Sequence, residues 1–249
     1  RWPVSLQQWL ANLIVLSPAL GQPFMDGVYW SIVLELIFYF WVAVALFFGV
    51  FERWKLLLVA GWLALCALNE FVVDSGAARL LFITEYGPWF AGGILVHHVY
   101  SRGWSAFAAV LMVAAFALSC ATLPKGAGWM QEHYGTSLRL GALVVANVVI
   151  HLLLPATIAL RGLVPASPLV IMLGGLTYPL YLLHQHIGYV AINALAPSIG
   201  AGVAALVALA SVIALSWIVW RHVETPGRKG IARLLTRLLA ASRLLPARA

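Results

Sequence analysis

Acidic residues are almost missing from this chain, which carries eight Asp and Glu against fifteen Lys and Arg in 249 residues. Charged side chains make up 9% of the total, where a soluble domain carries about 25%. So few charges cannot solvate a 27 kDa surface, and a soluble enzyme or a disordered segment is excluded. Cysteine is scarce too. Cys66 and Cys120 both lie in apolar runs, so a disulfide framework is excluded and nothing follows about redox compartment. The three lysines, Lys55, Lys125 and Lys229, stand outside the middle of any apolar run, which rules out a retinal Schiff base. The chain has no phosphate-binding Gly-x4-Gly-Lys loop, no Gly-x-Ser-x-Gly elbow and no His-Glu-x-x-His helix. It opens on Arg1, without a cleavable signal pattern.

What fills the chain is apolar: 63% hydrophobic residues and a mean hydropathy of +0.96. Lipid is the solvent that suits such a composition, and the expected fold is an all-α polytopic bundle. Apolar stretches near the ~20 residues needed to cross a bilayer occur at 29–50, 55–73, 80–100, 104–123, 138–160, 168–194 and 200–220, which predicts about seven spans. Short connections with breakers or charge separate them, and no internal repeat is visible, so residues 1–249 are read as a single membrane domain. Residues 2–20, with Gln7, Gln8, Asn12 and Pro18, suit an interfacial segment. The tail 228–249 reads as a basic amphipathic helix, with Ile231, Leu234, Leu235, Leu238 and Leu239 opposite Lys229, Arg233 and Arg237.

The net charge of +7 is distributed as in a multi-span protein and not as in a nucleic-acid binder. With the carboxy terminus in the cytoplasm, eleven bases fall inside: Arg53, Lys55, Arg102, Arg161 and the seven beyond position 220. Four fall outside, namely Arg1, Arg79, Lys125 and Arg139. That bias follows the positive-inside rule.

Ionisable groups inside a membrane are costly and mark functional sites by default. Glu35, His151 and His184 are the three, while Glu70 and Glu85 are expected near span ends within reach of water. Ser31, Glu35 and Tyr39 follow one another at i, i+4 spacing and form a polar stripe. Thr177, Tyr181, His184 and Gly188 share another face. His184 and His186 point about 200° apart on a helix, and His97 and His98 about 100°, so neither pair suits one metal ion. Asn147 and His151 form an i, i+4 pair that reads either as interhelical hydrogen bonding or as catalytic. The pairs Gly92-Gly93 and Gly174-Gly175 are read as permitting close helix approach.

Four segments, in order, resemble a known family. Tyr29-Trp30-Ser31-Ile32-Val33-Leu34-Glu35-Leu36-Ile37-Phe38-Tyr39 is similar to the Trp-Ser-Leu-x-x-Glu-x-x-Phe-Tyr signature of the acyltransferase 3 family, with Ile32 in place of Leu. Phe90-Ala91-Gly92-Gly93 resembles its Phe-x-x-Gly span. Thr177 to His184 resembles its Ser-Tyr-x-x-Tyr-Leu-x-His segment, with Thr177 in place of Ser, and Val223-Glu224-Thr225-Pro226 resembles its closing Glu-x-Pro. The resemblance implies a bacterial inner-membrane enzyme that moves an acyl group, usually acetyl from acetyl-CoA, onto a hydroxyl of a cell-surface carbohydrate or glycolipid. It makes Glu35 and His184 the expected catalytic pair of one site, and Trp30, Ser31, Tyr39, Tyr178 and Tyr181 the expected substrate contacts. The expected donor is an acyl-CoA, no bound cofactor or metal is implied, and a transporter or flippase lined by the same polar residues is the rival reading. The family has about ten spans of ~20 residues each and an Arg-x10-His pattern in the first. This chain lacks that pattern, so the resemblance implies further amino-terminal spans, upstream or in a partner chain.

The basic asymmetry makes a direct prediction. Single cysteines at Ser137 and Ser242 should react with an impermeant thiol reagent from opposite sides of the membrane, and labelling of both from one side would refute the topology.

Overall fold

A computed structural model of the chain describes residues 5–13, 15 and 17–241. Within them the architecture is all-α and contains no strand. The helices are α1 (Leu6–Leu13), α2 (Tyr29–Phe47), α3 (Val50–Leu68), α4 (Gly76–Leu81), α5 (Gly87–Arg102), α6 (Ala106–Tyr134), α7 (Leu140–Ala159), α8 (Pro168–Ile199), α9 (Ala201–Val219) and α10 (Thr225–Ala241). Two π turns, Asn69–Val73 and Trp220–Glu224, extend α3 and join α9 to α10. The residues form two compact units, one from the positions up to Trp30 with those from Ala166 onward, the other Ser31–Pro165.

Five segments among the described residues are long and apolar enough to cross a membrane: Tyr29–Phe47, Val50–Val73, Ala106–His133, Leu140–Ala159 and Ala201–Leu238. The chain is thus built as a multi-pass membrane protein. The two other predicted spans differ in instructive ways. α5 has 16 residues, roughly 24 Å at 1.5 Å per residue, which is less than the ~30 Å hydrocarbon core. α8 has length to spare at 32 residues, but Thr177, Tyr178, Tyr181, His184, Gln185 and His186 occupy its middle.

The stretch expected as one span over 80–100 is broken. α4 stops at Leu81, the chain turns through Ile83 at a φ of 46°, and α5 starts with Pro88 in its first turn. Proline suits that position because its missing N–H would have no helical partner there. The carbonyls freed at the break are taken by indoles: Trp41 Nε1 donates to Leu81 O and Trp62 Nε1 to Phe82 O, each at 2.8 Å. In lipid no water would serve instead. Conversely, the connection expected at 124–137 is helical as far as Tyr134, with Pro124 inside α6. The basic tail also runs on from α9 without a gap, so Glu224-Thr225-Pro226 lies within helical chain and not after it. Ile231, Leu234, Leu235 and Leu238 are exposed, as an amphipathic helix without a partner element requires. Residues 242–249 and the Leu239 side chain lie outside the described residues, as do 1–4, 14 and 16 of the amino-terminal segment.

In the unit Ser31–Pro165 the apolar core is Val59 and Leu63 of α3, Ala91 and Leu95 of α5, and Leu111 and Ala115 of α6. Alanines on α5 and α6 let the backbones approach, the usual membrane solution when apolar burial gains nothing over lipid. α9 repeats the device in the other unit with Ala204, Ala208, Val212 and Ser216 buried at i, i+4 spacing. Its continuation Trp220 lies over Gly175 of α8, where any Cβ would collide with the indole ring. Of the two glycine pairs, Gly175 alone requires this tight fit. Gly92 would leave a Cβ in ordinary contact with His151, and Gly93 and Gly174 face open space.

An ionic cluster ties the break after α3 to α6. Glu70, expected near water, is buried on the π turn. Its carboxylate accepts hydrogen bonds from Thr84 Oγ1 at 2.6 Å, Asn69 Nδ2 at 3.1 Å, Arg79 Nε at 3.2 Å and Lys125 Nζ at 2.8 Å. Lys125 also donates to the Glu70 carbonyl at 2.8 Å, and Arg79 pairs with Asp74. Asn69 Oδ1 takes the Ser75 amide, and Asp74 adopts the left-handed conformation that ends the π turn. Glu70→Gln should therefore lower unfolding stability by about 2–3 kcal/mol, the range for lost charge-assisted bonds. Lys125→Met should cost less, because Arg79 remains on the carboxylate. Thermal unfolding of the two variants in one detergent checks both the size and the order.

Candidate functional site

The segment that leads into α2 is irregular, and the first unit is built around it. Asn12, at the end of α1, is buried and uses both ends of its amide. Its Oδ1 accepts the Met25 amide at 2.9 Å, and its Nδ2 donates to Pro23 O at 3.1 Å and Gln8 O at 2.9 Å. These bonds hold a loop of backbone against α1. Asp26 then turns the chain into α2, its Oδ1 accepting the Val28 amide at 3.1 Å.

The same Asp26 is buried and reaches the polar middle of α8. Its Oδ2 accepts the His186 amide at 3.1 Å. Tyr181 OH donates to Val28 O at 3.4 Å, and the Gln185 side chain lies so close to Gly27 that a Cβ there would come within 3.0 Å of Oε1. Loop 23–28 and the α8 face carrying Tyr181 and Gln185 thus form one polar cluster at the centre of a long helix. Non-helical backbone leaves polar groups that need partners, and α8 supplies some of them.

His184 sits within this cluster. Its Nδ1 lies 2.7 Å from Tyr181 O, and the two rings are 5.9 Å apart. A carbonyl can only accept, so Nδ1 is the donor in this contact. The side chain is otherwise exposed. Thr177 donates its hydroxyl to Gly174 O at 2.8 Å, one turn back on its own helix. Tyr178 and Tyr181 are exposed.

The stripe at the start of α2 forms as the spacing predicts. Trp30 is exposed, Ser31 and Glu35 are half-buried, and Tyr39 is exposed. Glu35, Ser31 and Tyr39 belong to the unit Ser31–Pro165, whereas Trp30, Tyr178, Tyr181 and His184 belong to the other.

Of the two readings of Asn147 and His151, the structure favours interhelical bonding. Asn147, buried on α7, accepts from Trp89 Nε1 of α5 at 3.0 Å and donates to Ser119 Oγ of α6 at 2.8 Å. One amide thus ties three helices. His151 Nδ1 bonds the Asn147 carbonyl at 3.0 Å, and its ring meets the edge of Phe116.

Asp26 is the residue that sequence reasoning passed over. It stands outside every apolar run, so hydropathy gave no reason to single it out. The signal in hindsight is its place in Pro23-Phe24-Met25-Asp26-Gly27, a breaker-rich stretch directly before a polar helix start. Comparison of the chain with family models, curated proteins and solved structures finds no match.

Asp26→Asn presents an amide where the His186 N–H needs an acceptor. If the amide NH2 faces that donor, one buried bond is lost at about 1–3 kcal/mol. Hydrogen exchange should show the amides around His186 losing protection in Asp26→Asn while those of α6 keep theirs.

Proposed function

We propose that the chain is part of a membrane O-acyltransferase that moves an acyl group, typically acetyl, from an acyl-CoA to a hydroxyl of a cell-surface carbohydrate or glycolipid. The observation that carries this reading is the exposed imidazole of His184, anchored through Nδ1 to Tyr181 O, which leaves Nε2 as the ring nitrogen for a substrate hydroxyl. A sugar hydroxyl is a poor nucleophile until a base removes its proton, and histidine does so near neutral pH. His184 Nε2 takes that proton, the alkoxide oxygen attacks the thioester carbonyl, and the carbon–sulfur bond breaks. The departing thiolate is protonated to the free thiol, and the imidazole returns to neutral. Glu35 is the second catalytic group, on the polar stripe it shares with Ser31 and Tyr39. Trp30, Ser31, Tyr39, Tyr178 and Tyr181 provide the ring faces and hydroxyls that a sugar acceptor needs. The four segments similar to the acyltransferase 3 family support the same assignment, as does a multi-pass architecture.

The protein then works in a bacterial inner membrane through about seven spans, including α5 and α8, with the basic carboxy-terminal helix in the cytoplasm beside the acyl-CoA pool. A transporter or flippase is the second reading, favoured by the irregular loop against the middle of α8, since broken backbone at depth also lines substrate paths.

Membranes carrying the protein should transfer labelled acetyl from acetyl-CoA to a carbohydrate or lipid-linked acceptor. Glu35→Gln and His184→Ala should each reduce the rate by about 10²–10⁴-fold, the usual contribution of a general acid or base. Full transfer activity in both variants would reject the catalytic assignment. Acceptor movement across vesicles without acyl transfer would favour the transporter.

A further inference from the structure

We propose that the cavity at the adjoining ends of α3, α5 and α6 is a binding site for the phosphate head group of an acidic phospholipid. This inference does not depend on acyl transfer. The cavity has a volume of about 520 Å³ and is walled by Arg53 and Lys55 in the first turns of α3, Arg102 in the last turn of α5, and His98, together with Leu57 and Phe107.

The charge does not balance within the cavity. Glu52 is its one acid, and it is shared: Lys55 Nζ lies 3.4 Å from it and Arg102 Nη2 3.9 Å. Arg53 has no acidic partner in the cavity wall and rests its guanidinium over Trp54 at 5.2 Å. Three cations against one carboxylate leave an excess of two positive charges. Lys55 is the unusual member, since its side chain is only 4% exposed while that of Glu52 is 58% exposed. The Phe51 ring lies 4.9 Å from the Lys55 ammonium and compensates part of its burial; its one anionic partner is mostly in solvent, and an anion in the cavity would supply what Glu52 does not.

The surroundings select an amphiphile. Leu57 and Phe107 add exposed apolar side chains to the same lining, which an acyl chain could cover. Trp54, Tyr100 and Trp104, all exposed, cluster at the same helix ends, and Trp and Tyr gather at the head-group level of a bilayer. Basic pockets between spanning helices are the recurrent sites for acidic head groups. A dissolved phosphate would meet the same cations but would leave the apolar wall without a partner.

Native mass spectrometry of the full chain in detergent, titrated with phosphatidylglycerol or phosphatidylcholine of identical acyl chains, tests the proposal. Phosphatidylglycerol should remain bound under activation that strips phosphatidylcholine. Arg53→Gln combined with Arg102→Gln should weaken its retention by about tenfold or more, at ~1 kcal/mol per basic residue. Both side chains are exposed, so folding is expected to survive, and an unchanged unfolding temperature verifies it. Arg233→Gln with Arg237→Gln removes the same charge from α10 and should leave retention unchanged. Equal retention of the two lipids, or equal loss in both double variants, would overturn the proposal. So would saturable binding of adenosine 3′,5′-bisphosphate that displaces phosphatidylglycerol, because it would assign the cavity to soluble phosphates.

Discussion

Lipid accepts apolar side chains as readily as a protein interior does, but it offers nothing to a hydrogen-bonding group. Everything characteristic of this chain follows from that asymmetry. α2 runs for 19 residues without burying one of them fully, and Leu36, Phe40, Leu46 and Phe47 are exposed, which in a bilayer carries no cost. Polar groups have no such freedom. Glu70, Asn147, Asn12 and Asp26 are each buried and each bonded to two or more chain segments. Apolar contact fills the space between the helices, and these four side chains specify which helices meet and at what height.

The magnitudes separate the four. A neutral interhelical hydrogen bond in a membrane contributes about 0.6 kcal/mol on average, so the bonds of Asn147 to α5 and α6 align the helices more than they stabilise them. Glu70 is different because its bonds are charge-assisted and numerous. Two cations, Arg79 and Lys125, and two neutral donors, Thr84 and Asn69, converge on one carboxylate whose side chain is 1% exposed. The cations are part-exposed, at 30% and 38%, and keep some of their hydration, so the pair avoids the full desolvation penalty of a dry ion pair. This explains how α3 can end in a π turn, reverse, and start again as α5 without leaving backbone groups stranded.

The same rule shapes the region that supports the acyl-transfer reading. Loop 23–28 would be intolerable in lipid, yet Asn12 on one side and α8 on the other satisfy it. The result is an irregular, polar zone against the middle of a long helix, with an exposed histidine whose Nδ1 is held by a main-chain carbonyl. Chemistry on a sugar hydroxyl would need polar groups and a base within reach, which is why this zone carries the proposal.

Composition and the lengths of apolar runs were sufficient, without coordinates, for the all-α class, the multi-pass architecture, the Glu35–Tyr39 stripe and the basic amphipathic end, because each depends on residues within a few turns of one another. Helix ends were less legible. Pro124 looked like a stop and is not one, while 80–100 looked continuous and is broken at Ile83, since the groups that accept the freed carbonyls, Trp41 and Trp62, lie far away in sequence. The polar hubs were hidden for the same reason. Glu70 stands 55 positions from Lys125, and Asp26 stands 160 from His186. Whether such a residue meets water or is buried among partners is decided by long-range contacts, and a hydropathy pattern carries no record of them.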